Sequence, residues 1–153
     1  METNGREERD SNNLFFLCSL IEYIGRKTKN HRSVVVNALG KKKLQHIFDL
    51  ADVYHCENID KLTFDLIKAH KIEERTFDNI ANAKYSIPTH WDIGKVYKRL
   101  ILAISAKQNK PIIDTLIEVY NLWLSRKIED FNSSVYYETP DYLYESYLFG
   151  DVL

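Results

Sequence analysis

THWDIGKVYKRLILAISAKQNKPIIDTLIEVY, residues 89–120, decides the fold class. Ile93, Val96, Tyr97, Leu100, Ile101 and Ile104 recur at three- and four-residue steps, which is one face of a helix. Ile87 precedes Pro88 and is pushed out of the helical region, so the helix begins after it. Thr89 and Asp92 stand at capping-box spacing, although Glu or Gln is the commoner fourth residue. After AKQNK, Pro111 suits a first helical position, where a missing N–H costs nothing. Ile113, Leu116, Ile117, Tyr120, Trp123, Leu124, Ile128 and Phe131 then continue an apolar stripe and predict the longest helix. Two helices joined by so short a connection pack antiparallel, so residues 93–104 and 113–131 are the expected centre of the core.

Working outward, the same periodicity dominates. Ser11 suits a helix cap, with Leu14, Leu17, Cys18, Ile21 and Ile24 behind it. Gly25 and RKTKN are expected to end that helix. Residues 32–39 form a short helix closed by Gly40. Residues 41–56 carry Leu44, Ile47, Phe48, Ala51 and Tyr54 on one face; NIDKLTFDLIKAH, 58–70, is capped at Asn58 or Asp60. EERTFDNIANAKY, 73–85, is a shorter expected helix. Thr139-Pro140-Asp141 opens a last one, and Gly150 ends it. Among 153 residues, five glycines, three prolines and no hairpin signal between alternating runs leave little room for strands. The expectation is an all-α single-domain bundle of about seven or eight helices, some very short. Residues 1–10 are expected as a disordered lead-in before one helical domain, 11–150.

Composition narrows the function classes. The hydrophobic fraction of 44% and charged fraction of 28% are those of a globular domain. No apolar run approaches the ~20 residues needed to cross a bilayer, so no membrane role is expected and the compartment reads as cytoplasmic. Cys18 and Cys56 are expected as reduced, mostly buried thiols. They form no C-x-x-C pair, and the five histidines are scattered, so neither metal nor cofactor is expected. No paired-carboxylate or nucleophile constellation appears, and no catalytic residue is assigned.

Charge is separated along the chain. Residues 23–48 hold Arg26, Lys27, Lys29, Arg32, Lys41, Lys42 and Lys43 and no acid. Residues 128–153 hold six acids and no base. The basic stretch makes Arg26, Lys29, Arg32, Lys41, Lys42 and Lys43 candidate phosphate contacts of a nucleic-acid-binding regulator. No basic helix offers Arg, Asn and Gln together for reading bases. Arg26 and His31 also resemble, at R-x4-H, the helical HEPN-type ribonucleases, a short pattern placed here across a helix end.

The acidic end is also aromatic: YYETPDYLYESYLFG, 136–150, holds five tyrosines and Phe149. On a helical wheel, Leu143, Tyr144, Tyr147 and Leu148 share one face, expected to pack on the body. Its acids are expected to lean toward residues 26–43. Tyr136, Tyr137, Tyr142 and Phe149 are then the candidate partner-binding residues, because rigid aromatics give contact area at little entropic cost. The covering surface is another protein; the alternative is that both faces are covered by this chain itself or, in a homodimer, by a second copy.

IEYIGRKTKNHRSVVVNALG, KKKLQHIFDLADVYHCENIDK, YSIPTHWDIGKVYKRLI and KIEDFNSSVYYETPDYLYESY together resemble a family of small uncharacterised helical proteins of Gram-positive, mostly anaerobic bacteria. The resemblance covers nearly the whole chain after residue 14. Association of that family with toxin–antitoxin-like genes implies a non-enzymatic, antitoxin- or immunity-like module that binds a protein, such as a toxin encoded nearby.

Overall fold

A computed structural model describes the backbone of residues 2–153 and the side chains from Gly5 onward. Eight α-helices and one 3-10 turn follow in order among these residues: α1 (Glu2–Thr28), α2 (Arg32–Asp49), α3 (Ala51–His55), α4 (Ile59–His70), α5 (His90–Gln108), α6 (Ile112–Tyr120), α7 (Trp123–Glu129), the turn Val135–Tyr137 and α8 (Pro140–Phe149). No strand occurs among them. The chain is an all-α single-domain bundle.

The core is built on α1 and α5. Leu14, Leu17, Cys18, Ile21 and Ile24 of α1 are completely buried, as are Tyr97, Leu100, Ile101 and Ile104 of α5. The capping box at Thr89 and Asp92 is complete: Asp92 N–H donates to Thr89 Oγ1 at 3.0 Å, and Thr89 N–H to Asp92 Oδ2 at 2.9 Å. Leu116, Leu124 and Ile128 close the core from α6 and α7. Tyr97 and Tyr120 stack there at 4.1 Å, and the Tyr97 hydroxyl meets Ser125 Oγ at 2.7 Å.

Gly94 sets how close α1 and α5 approach. A Cβ there would lie 2.1 Å from Ser19 Oγ and 2.8 Å from Ser19 N. We expect Gly94→Ala to cost about 1–3 kcal/mol by prising the helices apart. Because the backbone of Ser19 collides as well, Ser19→Ala should not rescue it. Urea denaturation of the single and double variants decides this; full rescue would contradict the close approach.

The two cysteines differ. Burial pushes the Cys18 thiol up to about 12. Cys56 is free and exposed, which corrects the expectation for its burial. One thiol per chain should react with an aromatic disulfide reagent in native protein, and the second only on unfolding.

Four expectations about helices need correction. Residues 2–10, expected as a lead-in, are the first turns of α1; Met1 lies outside the described residues. The expected helix 41–56 is interrupted at Leu50, while the expected close of helix 32–39 at Gly40 is kept as a kink within α2, where Gly40 is non-helical (φ 79°, ψ 163°).

Residues 73–85 are irregular because their polar groups are used elsewhere. Arg75 and Phe77 N–H groups donate to the Thr28 and Lys29 carbonyls at 2.8 and 2.9 Å. Asn30 Nδ2 donates to the Glu73 carbonyl at 2.8 Å. The segment is a strap that ties off the α1–α2 turn, satisfying groups a helix end leaves open.

The expected long helix 111–131 breaks at Asn121 and Leu122. The Asn37 and Asn121 side-chain amides bond each other in both directions, at 2.9 and 3.0 Å, and Leu122 is extended (ψ 157°). The break redirects α7, so that Ser125 faces Tyr97 and Glu129 reaches the start of α2.

Candidate functional site

The α1–α2 turn is built on a buried charge centre. Arg32 is fully buried and grips Glu22, itself 1% exposed, with Nε to Oε1 at 2.9 Å and Nη2 to Oε2 at 2.8 Å. A forked guanidinium on a carboxylate is the strongest geometry such a pair offers. Arg32 also donates to the Asn30 carbonyl and to Asn79 Oδ1. Burial acts to raise the Glu22 carboxyl, but the Arg32 and Arg26 guanidiniums outweigh it and hold the group below its ordinary range.

Glu129, 3% exposed, caps α2 in place of a local side chain. It accepts the Arg32 backbone N–H at 2.6 Å, His31 Nδ1 at 2.8 Å and Arg126 Nη1 at 3.2 Å. A carboxylate here only accepts, so His31 donates through Nδ1. His31 also stacks on Phe77 at 3.9 Å.

Arg26 is held by Glu22 at 2.7 Å and by the Pro88 carbonyl at 2.7 Å. Arg26 and His31, the R-x4-H pair, therefore bind different carboxylates, Glu22 and Glu129.

These contacts divide the six expected nucleic-acid residues. Arg32 is sealed inside and cannot touch a phosphate, which corrects its expected role; Arg26 is partly buried and paired with Glu22. Lys29 stands 4.0 Å from Asp78, and Lys41 pairs with Asp114 at 2.8 Å. Lys42 and Lys43 form no ion pair among the described residues. With Lys41 they rim a groove of about 940 Å³, together with His46, Asp49 and His70, and with Leu39 in its lining.

The C-terminal helix makes a second, acidic and aromatic surface. Thr139 Oγ1 accepts Tyr142 N–H at 3.2 Å, Pro140 occupies the first turn, and Gly150 closes it in the left-handed region. Leu143, Tyr144 and Ser146 are buried. The Tyr147 hydroxyl donates to Glu118 Oε2 at 3.1 Å, and Lys107 Nζ lies 4.0 Å from the Tyr144 ring centre. So α8 docks on the end of α5 and on α6, and its acids make no ion pair with the 26–43 region toward which they were expected to lean. Ser146 faces inward, fully buried, and Leu148 is 53% exposed, which corrects its expected packing.

Among the four expected partner residues, Tyr137 is 68% and Phe149 71% exposed. Tyr136 is half-buried beside Phe131 at 5.5 Å. Tyr142 is half-buried too, its hydroxyl donating to the Leu153 carbonyl at 2.5 Å. Glu138, Asp141, Glu145 and Asp151 form no ion pair among the described residues.

Sequence reading missed Glu22, Asn79, Arg126 and Glu129. The signal for Glu22 was present: it sits four residues after Cys18 on an otherwise apolar stripe, with Arg26 four residues on. Glu129, 107 residues from Glu22 in the chain, carried no such signal. Among the described residues no cluster of three His, Cys, Asp or Glu could hold a metal ion, and no helix is long and apolar enough to cross a membrane. No protein-family model matches the chain, and no curated protein or solved structure matches it.

Proposed function

We propose that this chain is a non-enzymatic, cytoplasmic protein-interaction module of the antitoxin or immunity kind, which docks a partner protein on the outer side of its C-terminal helix. The observation that carries this reading is the helix itself. Its inner side is anchored through Leu143, Tyr144 and Tyr147, while Leu148 and Phe149 at its C-terminal end, and Tyr137 before its start, stay more than half exposed. Full burial of a large apolar side chain contributes about 1.5–3 kcal/mol, so three left in water form an unused binding surface. The resemblance to proteins beside toxin–antitoxin-like genes makes a neighbouring gene's product the partner to try first.

The test is coexpression with each neighbouring gene. Tyr137→Ser/Phe149→Ser should keep the melting temperature within about 2 °C of wild type and abolish capture of the coexpressed product. Leu143→Ser/Tyr147→Ser should instead destabilise the fold. Unfolding of the first variant would show that these aromatics belong to the core and would remove the reading.

The nucleic-acid alternative now rests on Lys42 and Lys43, with Lys29 beside Asp78. The ribonuclease alternative places Arg26 and His31 on separate carboxylates. Purified protein should leave single-stranded and structured RNA intact; cleavage lost in both Arg26→Ala and His31→Ala would restore that alternative.

A further inference from the structure

The molecule carries two unmatched surfaces of opposite sign. One is the outer side of α8, where Asp141 and Glu145 flank Leu148 and Phe149. The other is the α2 groove, where Lys42, Lys43, His46 and His70 stand around Leu39, its one apolar lining residue and itself buried. The groove's one acid, Asp49, is already bonded by Gln45 Nε2 at 2.9 Å. Within one chain the two do not meet, because α8 is fixed to α5 and α6 by Tyr144 and Tyr147. Asp141 and Glu145 of α8 and the bases Lys42 and Lys43 therefore look outward from the same molecule.

We infer that the occupant of the groove is α8 of a second copy of this chain. Leu148 and Phe149 would lie along the aliphatic stems of the lysines above Leu39, and Asp141 and Glu145 would meet the Lys42 and Lys43 ammonium groups. A ten-residue helix in one groove is a small contact, while stable interfaces bury roughly 1,200–2,000 Å². Each copy, however, carries both halves, and the Lys41 rim and α8 are tied to neighbouring turns of α6, at Asp114 and Glu118, so a closed two-fold pair would make the contact twice. This deepens the reading above, since it rests on the outer side of α8 being a docking surface. It adds that self-association covers the surface a foreign partner needs, so the two compete.

The experiment is size-exclusion chromatography with light scattering on wild type and two charge reversals, Lys42→Glu/Lys43→Glu and Asp141→Lys/Glu145→Lys, with circular dichroism to check folding. Wild type should be a dimer at low salt and dissociate by ~0.5 M salt. Each reversed variant should be a folded monomer. An equimolar mixture should form a dimer again, because the reversed groove then meets the reversed helix and the native groove meets the native helix. A wild type that stays monomeric at ~100 µM, a dimer indifferent to both reversals, a mixture that stays monomeric, or assemblies growing beyond two copies would each overturn the inference. A monomeric wild type that still loses its coexpressed partner in Tyr137→Ser/Phe149→Ser would sink the dimer and leave the docking surface standing. A salt-sensitive dimer that captures no neighbouring product would do the reverse.

Discussion

Arg32→Leu should lower the unfolding free energy by about 3–5 kcal/mol, the cost of leaving a buried carboxylate without its partner. Glu22 is 1% exposed and takes both prongs of the Arg32 guanidinium, so the variant strands a charge no water can reach. Arg26, at 2.7 Å from Glu22 Oε2, still contributes but cannot replace two bonds. Glu22→Leu/Arg32→Leu removes both charges and should recover much of the loss, because buried pairs replaced by apolar residues are often neutral. Urea melts of the two variants and wild type decide the matter. A double variant as unstable as Arg32→Leu would mean that Arg32 acts through Asn30 and Asn79 rather than through Glu22.

The same centre sets an acid limit. Burial alone would raise the Glu22 carboxyl, but Arg32 and then Arg26 outweigh it and bring the group below its ordinary value. A carboxylate depressed in the folded state binds fewer protons there than in the unfolded chain. Its stabilisation is therefore fully present above the ordinary carboxylate range and is lost as pH falls through and below that range. Wild type should lose stability as acid is added in that window. The Glu22→Leu/Arg32→Leu variant should show a shallower loss, read from denaturation midpoints at a series of pH values.

Leu100→Ala should cost about 2–5 kcal/mol. Leu100 is completely buried on α5, on the helix face that carries Tyr97, Ile101 and Ile104. Leu116→Ala on α6, also at 0% exposure, belongs in the same range. Removing three carbons at either place leaves a void that helices held at Gly94 and at the stacked tyrosines cannot close. Lys95→Ala, on the exposed side of α5, should stay within ±0.5 kcal/mol. Losses below about 1 kcal/mol at both leucines would place the core elsewhere.

Much of this architecture is legible along the chain. The stripes of α1, α4 and α5, the Asn58 and Thr89 caps, Pro140 and Gly150 appear where residue spacing puts them. The reason is physical: capping and 3.6-residue periodicity are interactions among residues a few positions apart, so sequence contains both partners. The same periodicity put Phe149 on the outer side of α8, where it is exposed, while Tyr142, placed there with it, is half-buried.

What only the tertiary structure decided involves partners distant in sequence. The break at Asn121 depends on Asn37, the irregular strap at 73–85 on the carbonyls of Thr28 and Lys29, and the cap of α2 on Glu129. The roll of α8 that buries Ser146 and exposes Leu148 depends on Gln108 and Glu118, which bind Tyr147. The basic run was the most misleading stretch, since Arg26 and Arg32 look like surface charge until Glu22 is found beneath them. Residue type determines that a guanidinium needs an anion; only the folded chain determines whether that anion is a phosphate outside or a carboxylate within.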